Sequence, residues 1–122
     1  MVRRVNWTDQ ALADLADIKR YIERRSPANA RKVVDRIAME GDRLGEFPYA
    51  AREIPEFRDP DRRETFVYNW RIMFRVEPGQ VTIRRVVHAK RKLNNVPGSF
   101  EEIEQDAYLA DLTAHQPSPV AT

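Results

Sequence analysis

The chain reads as an α+β domain: an N-terminal strand, an antiparallel helix hairpin, then a three-stranded antiparallel meander. Three observations predict it. Ala11, Leu15, Ile18 and Ile22 recur at alternating intervals of four and three, the spacing that lines one face of a helix. Ser26-Pro27 breaks that run and opens a second one, Ala30, Val33, Val34, Ile37, Ala38, Gly41 and Leu44. From Arg63 onward the apolar period falls to two, with Pro78-Gly79 between the last two runs.

Each element has a local cause. Val2–Trp7 is short and rich in Val and Trp, as a first strand would be. Thr8 is placed to cap the first helix, and Asp9 puts a negative charge at the positive end of its dipole. Leu12 and Tyr21 widen the apolar stripe. Serine at 26 suits an N-cap, and Pro27 fits the first helical position, where its missing N–H would have had no partner. The short connection makes the helices antiparallel, and Phe47-Pro48 closes the second. Residues 49–61 hold Pro55 and Pro60 and no period, and are expected to form a loop. Strands follow over 63–68, 70–76 and 80–88. Asn69 marks a tight turn, and Pro78-Gly79 fits the centre of a type II turn.

In the middle strand Trp70, Ile72, Phe74 and Val76 share the face that the helices must cover, so their rings are for packing. Arg71, Met73 and Arg75 are then expected on the open side. The last strand breaks the alternation. Either Arg85 points inward to a helix acid, Asp14 or Asp17, or a bulge resets the parity.

Composition excludes several chemistries. There is no cysteine and only two histidines, His88 and His115, so no thiolate nucleophile, structural zinc site or other cofactor is expected. No apolar run approaches a membrane span and the N-terminus lacks a signal-peptide core, which predicts a cytoplasmic protein. The net charge of +2 conceals an asymmetry. In residues 1–93 all 21 Lys and Arg face 14 acids, leaving +7, whereas residues 94–122 hold five acids and no Lys or Arg. The chain therefore divides into a basic domain, 1–93, and an acidic extension, 94–122, whose Phe100, Ile103 and Ala107 have the spacing of a short amphipathic helix. One expectation is that this helix packs on the domain's own basic face; the bland one is a solvated appendage.

The most basic stretch is 62–93. Arg62, Arg63, Arg71, Arg75, Arg84, Lys90 and Arg91, with His88 among them, form the expected partner-binding surface. Such a surface meets either an acidic protein or a phosphate backbone.

In this order the residues resemble a known superfamily. Trp7-Thr8, Asp14-Leu15, Ile18 and Tyr21-Ile22 in the first helix, Glu46-Phe47-Pro48, Arg52 with Ile54-Pro55-Glu56, and Arg63-Glu64 are similar to the RelE/ParE toxins of type II toxin–antitoxin systems. Trp70-Arg71-Ile72-Met73-Phe74-Arg75-Val76 and Arg85-Val86-Val87-His88, followed by Arg91 and Leu93, complete the match over residues 5–93. The resemblance implies a toxin with a small antitoxin partner, and two alternative targets. RelE-like members cleave messenger RNA in the ribosome with a cluster of cations and a C-terminal Tyr or His; ParE-like members bind DNA gyrase. Arg71 and Arg91 fall on arginine positions of the RelE-like site and Arg62 on a lysine position, which with His88 gives Arg71, His88 and Arg91 as the residues for RNA cleavage. Glu64, however, stands where a second lysine belongs, and Val96-Pro97-Gly98 stands where the tyrosine belongs. These departures favour a ParE-like, non-enzymatic gyrase inhibitor. The alternatives are a ribosome-dependent messenger RNA endonuclease and a plain basic nucleic-acid-binding domain.

Overall fold

The structure, a computed structural model, describes residues 2–89. In chain order it comprises β1 (Arg4–Trp7), α1 (Asp9–Glu23), α2 (Pro27–Asp42), β2 (Arg52–Glu53), β3 (Arg62–Val67), β4 (Trp70–Glu77) and β5 (Gln80–His88). The five strands form one sheet in the order β1-β5-β4-β3-β2, in which only the β1–β5 pair is parallel.

The predicted caps are present. Thr8 Oγ1 accepts from the N–H of Ala11 and Ser26 Oγ from that of Asn29, each at 3.1 Å, with Pro27 in the first turn of α2. The stripes of both helices meet the sheet in one core, where Ala11, Ile37, Ile72, Phe74, Val81 and Ile83 are essentially inaccessible. Burial of a side chain of this size contributes about 1.5–3 kcal/mol. Leu12 and Tyr21 do not widen the α1 stripe; both are exposed, and Gln10 and Asp14 are buried instead.

Several boundaries differ from expectation. The first strand starts at Arg4 and the second helix stops at Asp42, short of Phe47-Pro48. The chain tightens there into a 3-10 turn, Arg43–Gly45, because it must come against the N-terminal segment: Gly45 O accepts from the N–H of Arg3 at 2.9 Å. Residues 49–61 are not merely a loop. A 3-10 turn at Pro48–Ala50 leads into β2, whose two residues pair with Glu64 and Arg63 of β3. The turn between β3 and β4 places Tyr68, not Asn69, at positive φ (53°), and Gly79 takes φ 77° as a type II turn requires.

Both readings of the last strand hold. The register passes from Met73↔Arg85 to Phe74↔Ile83, leaving Arg84 as an extra residue. Across this bulge the core positions change from Val81 and Ile83 to Val86. Arg85 is also buried, bonding Asp14 Oδ2 through Nε at 2.9 Å.

Gly45 is the tightest approach in the fold, since a Cβ there would lie 2.1 Å from the backbone oxygen of Arg3. Gly45→Ala is expected to cost about 1–3 kcal/mol, as overpacking does, read as a lowered urea midpoint with an unchanged slope.

Candidate functional site

The sheet face away from the helices was expected to be open and basic. It is partly roofed. Ile54 is buried and Phe57 half-buried in the chain between β2 and β3, and with Met73, itself buried, they line a common pocket. This segment is tied down at both ends: the N–H of Ile54 bonds Arg62 O at 3.0 Å and that of Val76 bonds Asp61 O at 2.7 Å.

Under and beside this roof the arginines are fasteners. Arg71 does not project into solvent from an open face. It is 5% exposed, and its Nε bonds Glu64 Oε1 at 2.9 Å while Nη2 bonds the same oxygen. Glu64 is 1% exposed and accepts on its other oxygen from Arg52 Nε at 2.5 Å. One buried carboxylate thus joins β2, β3 and β4. Cross-strand pairing makes this contact: Glu64 lies opposite both Arg52 and Met73, and Arg71 opposite Phe66, one diagonal step away. Glu56 Oε1 lies 3.9 Å from Arg71 Nη2.

Other predicted residues hold loops. Arg63 donates from Nε to Pro60 O at 2.7 Å and from Nη1 to Ala51 O at 2.9 Å, and its guanidinium stacks 5.1 Å from the Tyr49 ring centre. Arg62 stacks 4.7 Å from the Phe57 ring centre, with Nε 3.6 Å from Asp59 Oδ2. Tyr49 donates its hydroxyl to Asp61 at 2.7 Å, and that bond with the carboxylate raises the phenol's pKa.

A second buried pair anchors the helices. Asp14 accepts from Arg85 Nε, from Arg85 Nη2 at 3.3 Å, and from the N–H of Val86 at 2.8 Å, where β1 has ended and β5 would otherwise lack an edge partner. Burial pushes the Asp14 carboxyl above its ordinary range, and Arg85, the Val86 N–H and Gln10 pull it partly back.

His88 pairs with Trp70 across β4 and β5 and meets its ring edge-on, 5.1 Å between centres. Trp70 packs on the helix-side core, so His88 belongs to that face and Arg71 to the other. The structure does not bring these two together. Arg75 and Arg84 are half-buried and share the roofed pocket with Arg62. Lys90, Arg91 and the acidic extension 94–122 lie outside the described residues.

Exposed charge is concentrated elsewhere. Lys19, Arg20, Arg24, Arg25, Arg31 and Lys32 are all exposed around the α1–α2 turn. Their clustering was visible in the sequence as six cations in fourteen residues, but it was obscured by the denser run in 62–93. Among the described residues there is no group of His, Cys, Asp and Glu arranged to hold a metal ion.

The Glu64–Arg71 contact makes a stability prediction. Glu64→Ala strands a buried guanidinium and is expected to cost about 3–5 kcal/mol in urea unfolding. Glu64→Leu combined with Arg71→Leu should recover most of that loss. Arg52→Ala, on the exposed side of the same carboxylate, should cost no more than about 1 kcal/mol.

Comparison with known proteins agrees with this architecture. Residues 5–93 match the family model described as the ParE toxin of the type II toxin–antitoxin system parDE. Over 89 residues the chain is 36% identical to Toxin RelE2 of Caulobacter vibrioides, covering 72% of this chain and 97% of that one. Among solved structures it is similar to the chromosomal ParDE system from P. aeruginosa, with TM-score 0.62 and 24% identity over 73% of this chain and 98% of that one. It is also similar to the RelBE2 toxin–antitoxin complex from Mycobacterium tuberculosis, with TM-score 0.55 and 18% identity over 74% and 95% of the two chains. These two likenesses speak to the fold: a helix pair on one mixed sheet. With that fold, and with the family model spanning nearly all of the described domain, the chain belongs to the ParE toxin family of type II toxin–antitoxin systems, within the RelE/ParE superfamily.

Proposed function

We propose that this toxin acts in the ParE manner, binding DNA gyrase without cleaving nucleic acid, and that a cognate antitoxin neutralises it. The observation that carries this reading is the Glu64 carboxylate seated on Arg71. Cleaving an RNA strand requires cations aimed at the phosphate and a positioned acid and base. Here Arg71 spends its Nε and one terminal nitrogen on an internal carboxylate and is nearly inaccessible. His88, the candidate acid or base, sits on the other face of the sheet beside Trp70.

The antitoxin partner is supported by the likeness to structures whose titles name a ParDE system and a toxin–antitoxin complex. Both gyrase and the ribosome would place its action in the cytoplasm, in keeping with the finding that no described helix is long and apolar enough to cross a membrane. The identity to a protein named RelE2 favours a second reading, a messenger RNA endonuclease using Arg71, His88 and Arg91.

The purified protein should be assayed for inhibition of gyrase supercoiling and, in parallel, in cell-free translation with primer-extension mapping of the messenger. Loss of supercoiling with intact messenger is the expected outcome. Codon-positioned cuts with supercoiling unaffected would establish the endonuclease instead.

A further inference from the structure

The Glu64 row of the sheet carries its own anion; the next row does not follow that pattern. Arg62 and Arg75 stand directly opposite one another on β3 and β4, with Thr82 across from Arg75 on β5. Arg84, the extra residue of the bulge, joins them, and the three arginines line one pocket with Ile54, Phe57 and Met73. Like charges directly opposite on neighbouring strands repel. Asp59, 3.6 Å from Arg62, supplies one of the negative charges that such a group of three requires. A ligand suited to this place has several negative charges and an apolar side chain or two for the Ile54–Phe57–Met73 floor.

We propose that the occupant is the chain's own acidic segment, Glu101–Asp111. It has the required chemistry: Glu101, Glu102, Glu104, Asp106 and Asp111 without any Lys or Arg, and Phe100 and Ile103 among them. It is also within reach. The described chain ends at Ala89, whose N–H bonds Asn69 O at 2.6 Å, just past the end of β5. Arg84 lies five residues back along that strand, roughly 16 Å at about 3.3 Å per residue. A flexible connection through residues 90–99 spans about 16–19 Å on average, by the square-root scaling of a random coil. Tethering at this length holds the segment near the pocket at an effective concentration on the order of millimolar. Weak charge-assisted contacts suffice at that concentration, and an external acidic partner must displace the segment to reach these arginines.

The inference rests on the fold and the charge pattern, so it stands whether or not the toxin acts on gyrase. The absence of native cysteine allows a single nitroxide label to be placed at Ala110→Cys in the full chain. Paramagnetic relaxation is then read at the backbone amides. Peak intensities for residues 54–62, 73–76 and 82–84 are expected to fall by half or more. Neutralising the segment with Glu101→Gln, Glu102→Gln, Glu104→Gln and Asp106→Asn, in a chain carrying the same label, should restore them. The proposal is overturned by no attenuation, by attenuation centred on the exposed cations of residues 19–32, or by attenuation that survives neutralisation. It is equally overturned if an RNA oligonucleotide shifts the pocket amides while the label leaves them unchanged, which would make the pocket a nucleic-acid site.

Discussion

The carboxylate of Glu64 is the contact on which the outer half of the sheet depends. It is withdrawn from water and bonded by Arg71 from β4 and Arg52 from β2. Taking an ionised carboxylate and a guanidinium out of water costs several kcal/mol each, which their attraction offsets only with good geometry. The Nε and Nη2 contacts to a single oxygen, with the second oxygen given to Arg52, provide that geometry. Its value therefore lies in specification: a two-residue edge strand such as β2 has little else to define its register.

Asp14 does the same for the inner half. β1 pairs with β5 only as far as Ile83, and the chain then turns into α1. That leaves the next stretch of β5 without a strand beside it, and Asp14 answers with a bond to the Val86 N–H while pairing with Arg85. The helix hairpin is thus pinned to the sheet by one polar contact inside an otherwise apolar interface. The two carboxylates act alike, each closing on an arginine of the basic hairpin and turning a cation that looked outward-facing into part of the framework.

How legible this was depends on the kind of interaction. The helix stripes, both N-caps and the Pro78-Gly79 turn follow from local spacing and backbone preference, and all are present. The Asp14–Arg85 pair was among the alternatives because a lone charge interrupting an apolar alternation must find a partner. Arg71 was misjudged for a physical reason: alternation says which face a side chain takes, but not whether another segment covers that face. The covering segment, with buried Ile54 and half-buried Phe57, has no period to betray it. Glu64 was singled out as a reversed charge at a phosphate position. That it also neutralises Arg71 needed the cross-strand register, which depends on a one-residue bulge no local signal locates.

Withdrawal of Arg71 from the surface is the central claim, because it decides what the basic hairpin is free to touch. Hydrogen exchange of the arginine Nε–H groups, followed by nitrogen-15 NMR, tests it directly. Arg71 and Arg85 should exchange far more slowly than the solvent-exposed Arg24 and Arg31. Exchange of Arg71 as fast as that of those exposed arginines would contradict the account and return it to the partner-facing surface.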